Sequence, residues 1–162
     1  MPIALHLLNL NELKSIYAGS TQVAGFRLVP GTLPPPDMIR DHINLLRNGQ
    51  DPMWHSFFLF IDEERRQAIG SSGFWGPPIN GRVVFGYGVA PTFQGNGVAT
   101  AAVRLMLDMA FEYPAITEVF AETGVDNIAS RRVVEKNGLT HIGQRQSEEH
   151  GLVDQWLIHR PQ

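Results

Sequence analysis

The sequence predicts a single domain over residues 1–162 of mixed α/β (α+β) class, in which helices flank a mostly antiparallel sheet. Two observations predict this class. Three candidate strands follow one another between residues 56 and 89, separated only by short turns, as in an antiparallel meander. The last strand leads into a glycine-rich turn, a helical pattern and another strand, which together form a strand–helix–strand crossover.

The N-terminal part is predicted to contain one strand and two helices. Residues 3–8 form a short apolar run typical of a strand, and either Asn9 or Asn11 is a suitable cap for a helix over residues 12–18. Residues 19–36 are polar, then rich in Gly and Pro, and end in three prolines, which predicts a surface connection. Asp37 is the expected cap of a second helix over residues 38–47.

The central part contains the three strands of the meander and the longest predicted helix. The strands are predicted at residues 56–61, 67–75 and 82–89, with the charged residues 62–66 as the tip of the first hairpin. The first run is continuously apolar, as a buried strand should be, and the third is rich in β-branched and aromatic residues. From Val98 onward the apolar residues recur at helical spacing, so a helix is expected to begin there.

The C-terminal part is predicted to form a strand, a short helix and a closing hairpin. Residues 116–122 alternate as a strand does, and Asp126 is the expected cap of a helix that runs to about Lys136. Asn137-Gly138 is a strong helix stop signal. Residues 139–146 and 152–160 are the predicted strands of an antiparallel hairpin, joined by a polar turn at residues 147–151.

The composition excludes several classes of protein. The sequence has no cysteine, so disulfides, thiolate metal sites and a cysteine nucleophile are excluded. A formal net charge of −3 argues against nucleic acid as the main partner. No apolar run is long enough to cross a membrane, and residues 1–10 lack the basic start of a secretory signal. These features predict a cytoplasmic protein with no membrane partner.

The turn at residues 91–97 is a candidate anion site, because it joins a strand to the start of a helix. The first turn of a helix has backbone N–H groups without intrahelical partners, and a phosphate can bind there. Gly95 and Gly97 have no side chain that would keep a ligand away from these N–H groups. The alternative is that the glycines only form a tight connection, since a short glycine-rich turn is a weak signal.

Two motifs identify a family resemblance that covers nearly the whole chain. QGNGVA at residues 94–99 matches the Q/R-x-x-G-x-G/A signature of the GNAT superfamily of acyl-CoA-dependent N-acyltransferases. The segment AETGVDNIASRRVVEKNGL at residues 121–139 resembles the second conserved segment of that superfamily. Its Asn-x-x-Ser followed by Glu-Lys-x-Gly is most similar to the branch of ribosomal-protein N-terminal acetyltransferases. The resemblance implies the GNAT fold, in which two central strands splay apart.

The resemblance also implies which residues bind acetyl-CoA, the expected co-substrate. The pantetheine arm would lie between the splayed strands, the pyrophosphate on the N–H groups of the glycine turn, and Ser130 would hydrogen-bond the sulfur. The implied cofactor-binding residues are Val89, Ala90, Gln94, Gly95, Asn96, Gly97, Val98, Ala99, Thr100, Asn127 and Ser130.

Two departures from the family pattern concern charged residues. Gln94 and Asn96 stand where many relatives carry Arg or Lys, which leaves backbone amides as the main phosphate ligands. Many relatives also carry a Glu where this chain has Phe85, so that acid is missing here.

Acetylation of an amine requires a base, because an alkyl ammonium must lose a proton before it can attack the thioester. Glu122 is the candidate favoured by position, and Glu148 or Glu149 in the closing hairpin is the alternative. Ser130 would help to protonate the leaving thiolate, and a backbone N–H near Val89 would bind the carbonyl oxygen. The histidines lack the spacing of a metal site, so no metal is expected.

The resulting hypothesis is an N-acetyltransferase that moves an acetyl group from acetyl-CoA to a primary amine by direct attack. The acceptor is either a protein N-terminus or a small molecule, and the sequence does not choose between them. Phe26, Trp54 and Trp75 are candidates to line the acceptor cleft or, equally, core residues. The alternative function is a non-catalytic acyl-CoA binding or sensing module. The oligomeric state, a homodimer included, stays open.

Overall fold

The computed structural model describes residues 2–162, which form nine strands and five α-helices. The strands are β1 (Ile3–Leu7), β2 (Gln22–Val23), β3 (Phe26–Leu28), β4 (Phe58–Asp62), β5 (Gln67–Phe74), β6 (Arg82–Val89), β7 (Glu118–Gly124), β8 (Thr140–Ser147) and β9 (Gly151–His159). The helices are α1 (Leu10–Tyr17), α2 (Pro36–Arg47), α3 (Pro52–His55), α4 (Val98–Phe111) and α5 (Ile128–Lys136). A single 3₁₀ turn at Pro91–Phe93 precedes α4.

The strands form one mixed sheet in the order β1-β4-β5-β6-β7-β9-β8. Neighbouring strands along this order are antiparallel except β6 and β7, which are parallel and are joined by α4. The predicted meander, the crossover and the closing hairpin are therefore confirmed. No helix in residues 2–162 is long and apolar enough to span a bilayer.

Helices cover both faces of the sheet at β4. In β4 the side chains alternate, so Leu59 and Ile61 pack with α1 and α2, whereas Phe58 and Phe60 pack on the opposite face. That opposite face carries α4, whose buried residues include Val103, Met106 and Leu107. The sheet is thus buried on both faces at β4, whose residues are all buried.

Several helix boundaries differ from the predictions because of local capping. Asn9, not Asn11, caps α1: its side chain accepts from the N–H of Glu12, whose carboxylate accepts from the N–H of Asn9. The prediction that Asp37 caps α2 is wrong, since the helix already begins at Pro36, which is suited to a first helical position. At α5 the cap is Asn127 and not Asp126.

The connection predicted at residues 19–36 contains a small hairpin. β2 and β3 turn through Ala24 and Gly25, both with positive φ, and β3 then pairs in parallel with the start of β5. The N–H of Val29 continues this contact by donating to the carbonyl of Ala68. Strands of two and three residues leave no periodic pattern, and this hairpin depends on pairing with a distant segment, so the sequence pattern missed it.

The two parallel strands separate after three residue pairs. Arg82, Val83 and Val84 pair with Glu118, Val119 and Phe120. Beyond Val84, β6 pairs with β5 alone, while β7 continues along β9 as far as Gly124. The opening between residues 85–89 and residues 121–124 is called the gap below. Its presence confirms the splayed strand pair that the resemblance implied.

Candidate functional site

On the β6 side of the gap, the main-chain groups of alternate residues are not paired with β5. The N–H of Trp75 donates to the Val84 carbonyl and the N–H of Ala90 to the Ile69 carbonyl, which places residues 84, 86, 88 and 90 in the hydrogen-bonded pairs with β5. The N–H and C=O groups of Tyr87 and Val89 therefore point into the gap. Ala90 is fully buried and its N–H is already bonded. The Ala90 N–H is thus not available to a ligand in the gap, and the role of Val89 in cofactor binding stays a prediction.

The side chain of Gln94 lies over this edge, where its Nε2 donates to the Val89 carbonyl oxygen at 3.2 Å. Gln94 is exposed, so this contact can open without disturbing the core. The same carbonyl is the acceptor that an extended amide ligand in the gap would use. The Gln94 side chain therefore makes the hydrogen bond to this carbonyl that a ligand in the gap would otherwise make.

The glycine turn at the start of α4 is open to solvent. Gly95 and Gly97 have φ of 81° and 76°, a left-handed conformation that side chains disfavour, and Gly97 is the N-cap of the helix. A Cβ on either glycine would meet no protein atom within 4 Å. The first intrahelical bond runs from the N–H of Ala101 to the Gly97 carbonyl, and the first turn contains no acidic side chain.

The predicted residues of this turn are thus brought together as one surface. The N–H groups of the first turn point out of the helix end, as every helix start requires. Gln94, Gly95, Asn96 and Gly97 are exposed or nearly so, Ala99 and Thr100 are half-buried, and Val98 anchors the turn in the core.

Helix α5 presents Asn127 and Ser130 next to the gap. The Asn127 side-chain oxygen accepts from the N–H of Ser130 at 3.1 Å. Asn127, which is predicted to contact the cofactor, therefore also caps α5. The Tyr87 hydroxyl donates to the Ser130 carbonyl oxygen at 3.4 Å and so links β6 to α5. Burial raises the pKa of Tyr87, which keeps the phenol protonated. No local sequence pattern predicts this link, because its two residues are 43 positions apart in the chain.

Glu122 lies on the β7 side of the gap, held by an arginine. Arg145 Nε and Nη2 donate to its two carboxylate oxygens at 2.8 and 2.6 Å, and Gln155 Nε2 adds a bond at 3.2 Å. The hydrogen bonds from Arg145, opposed by partial burial, hold the pKa of Glu122 below its ordinary value. A carboxylate with a lowered pKa is a weaker base. The geometry therefore favours an anchoring role for Glu122 over the predicted base role.

The tip of the β8–β9 hairpin carries the alternative carboxylates. Glu149 is 86% exposed and lies 3.6 Å from His150 Nε2. His150 also borders an open cavity of about 600 Å³ between this tip and the start of α5, lined by Gly124, Val125, Asp126, Asn127, His150, Gly151 and Leu152. Glu149 is thus near the α5 end of the site, but it is solvated rather than buried.

Phe85 does not face the gap. It is 2% exposed, packs in the core and stacks on Tyr87 with ring centroids 6.0 Å apart. A carboxylate at this position would lie in the core, so the absence of an acid there removes no candidate base from the gap.

The three aromatic candidates for the acceptor cleft have different environments. Trp54 is buried in the core against Phe74 and Tyr113. Phe26 is half-buried under the guanidinium of Arg66, 5.2 Å from the ring centroid. Trp75 alone of the three is exposed, beside β6.

A buried acid behind α5 was not singled out from the sequence. Asp154 on β9 accepts from Gln144 Nε2 at 3.0 Å and from His141 Nε2 at 2.8 Å, and it lies 3.6 Å from Arg131 Nε on α5. These groups, first Gln144 and then His141, hold the pKa of Asp154 below its ordinary value. The cluster ties α5 to the closing hairpin. The alternation of side chains along β9 indicates that position 154 is buried. Which residues contact Asp154 depends on the pairing register between β8 and β9.

Comparisons with known proteins agree with this geometry. The family model of the acetyltransferase (GNAT) domain matches residues 4–140. The chain is 43% identical over 61 residues to the FsC-acetyl coenzyme A-N(2)-transacetylase of Aspergillus fumigatus, which covers 38% of this chain and 26% of the relative. It is 35% identical over 66 residues to the putative ribosomal N-acetyltransferase YdaF of Bacillus subtilis, covering 41% and 36%. The matched stretches thus span well under half of both curated relatives.

A solved structure shares the fold over almost the whole chain. RimL, a ribosomal alpha-N-protein acetyltransferase in complex with coenzyme A, superposes with a TM-score of 0.70 at 18% identity, over 97% of this chain and 93% of RimL. The residues matched by the family model include both sides of the gap, the glycine turn and helix α5. The chain belongs to the GNAT family of acetyltransferases.

Proposed function

We propose that the protein transfers the acetyl group of acetyl-CoA to a primary amine by direct attack of the amine on the thioester. The observation that carries this proposal is the gap between β6 and β7, which ends beside the open glycine turn of α4. An extended cofactor with amide groups and a pyrophosphate needs both features on adjoining elements. Family membership and the coenzyme A named in two relatives support the same conclusion.

In the proposed binding mode, backbone groups of the protein hydrogen-bond both the pyrophosphate and the pantetheine arm of the cofactor. The pyrophosphate accepts hydrogen bonds from N–H groups of residues 95–100, where positive charge of the helix dipole adds to the attraction. The pantetheine amides pair with Tyr87 and Val89, and Gln94 leaves the Val89 carbonyl when the arm enters. The amide of Asn127 contacts the arm from α5 while its oxygen keeps the cap.

The proposed chemistry needs a hydrogen-bond donor for the carbonyl oxygen and one for the sulfur. A backbone N–H of β6 that faces the gap serves the carbonyl, because donors fixed before the reaction stabilise the developing oxyanion. The Ser130 hydroxyl serves the leaving thiolate, since α5 holds Ser130 half-buried beside the gap.

The proton of the acceptor ammonium leaves through water in this proposal. Glu122 stays ionised in its contact with Arg145 and attracts the ammonium, but its lowered pKa makes it a weak base. Glu149 is solvated at the hairpin tip and receives the proton through water. Glu149→Gln and Glu122→Gln separate the two roles: we expect Glu122→Gln to raise the KM for the amine more than it lowers kcat.

The acceptor is proposed to be a protein N-terminus or a small-molecule amine. RimL is an alpha-N-protein acetyltransferase and the Aspergillus fumigatus relative is an N(2)-transacetylase, so the names of both relatives describe transfer to a nitrogen.

The decisive experiment measures thiol release from acetyl-CoA with a panel of amines and N-terminal peptides, beside calorimetry with CoA. Amine-dependent thiol release is the expected result. CoA binding without release on any amine would favour the non-catalytic binding module, and the absence of CoA binding would refute both readings.

A further inference from the structure

One large aromatic side chain is left exposed beside the gap. Trp75 is 67% exposed, whereas the other two tryptophans, Trp54 and Trp156, are 9% and 2% exposed. It follows β5 directly, and its N–H donates to the Val84 carbonyl at 2.8 Å, so its backbone is fixed by the sheet. An exposed indole on a fixed backbone is suited to bind a ligand, since little ordering is needed.

The indole lies at the point where β6 and β7 separate. Its ring atoms, Nε1 included, are 3.2–3.6 Å from the position that a Cβ on Gly86 would take. Gly86 is only two residues beyond Val84, the last residue of β6 that pairs with β7. The ring therefore lies against bare backbone at the narrow end of the gap.

This ring is on the sheet face opposite to α4. Phe74 and Phe85, which immediately precede Trp75 and Gly86, lie in the core that contains α4, and successive strand residues point to opposite faces. Because α4 fills its own face, an acceptor must approach the gap from the face of Trp75. Gly88 leaves that approach free, since a Cβ there would meet no atom within 4 Å.

We propose that Trp75 determines acceptor specificity by forming one wall of the acceptor subsite, and that it selects amines that carry a flat, aromatic substituent. This inference rests on the proposed transferase function. The substituent lies over the backbone of Gly86 and Gly88, with its ring against the indole, while the amine reaches the thioester in the gap.

The charges on this face disfavour a second cationic group as the substituent. Both acidic residues of β7 are paired with arginines: Glu118 with Arg82 at 2.7 Å and Glu122 with Arg145 at 2.6 Å. Arg82 neutralises Glu118, and Glu122 is shared between Arg145 and the reacting ammonium, so neither carboxylate is left for a second cationic group. An uncharged ring, by contrast, gains contact area and the favourable geometry of an aromatic pair.

The first test measures binding without turnover. Acrylamide should quench mainly Trp75, because the other two tryptophans are buried. With CoA bound, 2-phenylethylamine should protect this fluorescence from acrylamide, and n-hexylamine should protect it much less. Trp75→Phe should remove the quenchable signal. Equal protection by the two amines, or none by either, would overturn the proposal even if the enzyme proves active.

The second test uses kinetics with a matched control. Trp75→Ala should raise the KM for 2-phenylethylamine about fivefold to tenfold, the effect expected for one aromatic pair. Its KM for acetyl-CoA and for n-hexylamine should not change, and Trp75→Phe should restore most of the loss. Ile79→Ala is the control, since Ile79 is exposed in the same β5–β6 connection. Equal losses for both amines would refute the inference.

The remaining explanation for the exposed Trp75 ring is an interface between two copies of the chain, and the oligomeric state tests it. If light scattering shows a dimer that Trp75→Ala converts to a monomer, the ring covers an interface between copies and the acceptor proposal is wrong. If CoA fails to bind in calorimetry, the proposed function itself fails, which is a separate result from a change in amine preference.

Discussion

Gly97 allows the sharpest test of the glycine turn, through Gly97→Val. The residue has φ of 76° and caps α4, and a Cβ there would meet no protein atom within 4 Å. Inside the protein the valine therefore introduces backbone strain only, about 1–2 kcal/mol for a left-handed residue. In a chain of this length, that strain lowers the melting temperature by about 2–8 °C.

The effect on CoA should be much larger than the effect on folding. The valine side chain would occupy the open space over the first turn of α4, where the pyrophosphate is proposed to lie. Loss of two hydrogen bonds to a charged group removes about 3 kcal/mol of binding free energy, which is roughly a 150-fold weaker affinity. Calorimetric titration with CoA measures this change.

Gly49→Val is the matched control for this experiment. Gly49 follows α2, has φ of 84°, and a Cβ there would also meet no protein atom within 4 Å, but the residue lies outside the elements that border the gap. It should show the same loss of melting temperature with unchanged CoA affinity. If the two variants bind CoA equally well, the pyrophosphate does not lie on this turn.

Three further predictions concern the gap and the core beside it. Ser130→Ala should lower kcat about 10-fold to 100-fold, with little change in the KM for acetyl-CoA, as expected for a proton donor; equal effects on both would make Ser130 a binding or packing residue. Arg145→Met removes the main cause of the lowered pKa of Glu122, so that pKa should rise in an NMR titration. The stability difference between wild type and Arg145→Met should be fully present above the unfolded-state pKa of Glu122 and vanish as the pH falls through the lowered folded-state pKa; a difference that persists at acid pH would contradict this cause. Phe85→Glu should lose at least about 3 kcal/mol of unfolding free energy in urea, because Phe85 is buried in the core, whereas an acid that faced the gap would cost little.

The sheet and the position of the glycine turn were largely predictable from local patterns. Strand β6 and helix α4 have the predicted starts, Arg82 and Val98, because a β-branched run and a helical apolar period are separated by glycines. The order of the meander, crossover and closing hairpin then left few topologies open. The short elements β2, β3 and α3 were missed because two to four residues are too few for a periodic pattern.

The chemical roles were less predictable, since they depend on which face a strand residue takes and what pairs with it. Phe85 and Gly86 are adjacent in β6, but the alternation of side chains along the strand places Phe85 in the core and Gly86 on the open face. Glu122 was interpreted as a free base, but β8 and β9 bring Arg145 and Gln155 to its carboxylate.

By itself the sequence therefore determined the fold class, the family and the glycine turn of residues 94–100, because these depend on period, glycine placement and motifs within short segments. Which groups border the gap depends on how distant segments pack together. The Val89 carbonyl is accessible and the Ala90 N–H is not, Glu122 is ion-paired, and Trp75 lies exposed over Gly86. Each of these follows from the register between strands, which a local pattern does not contain.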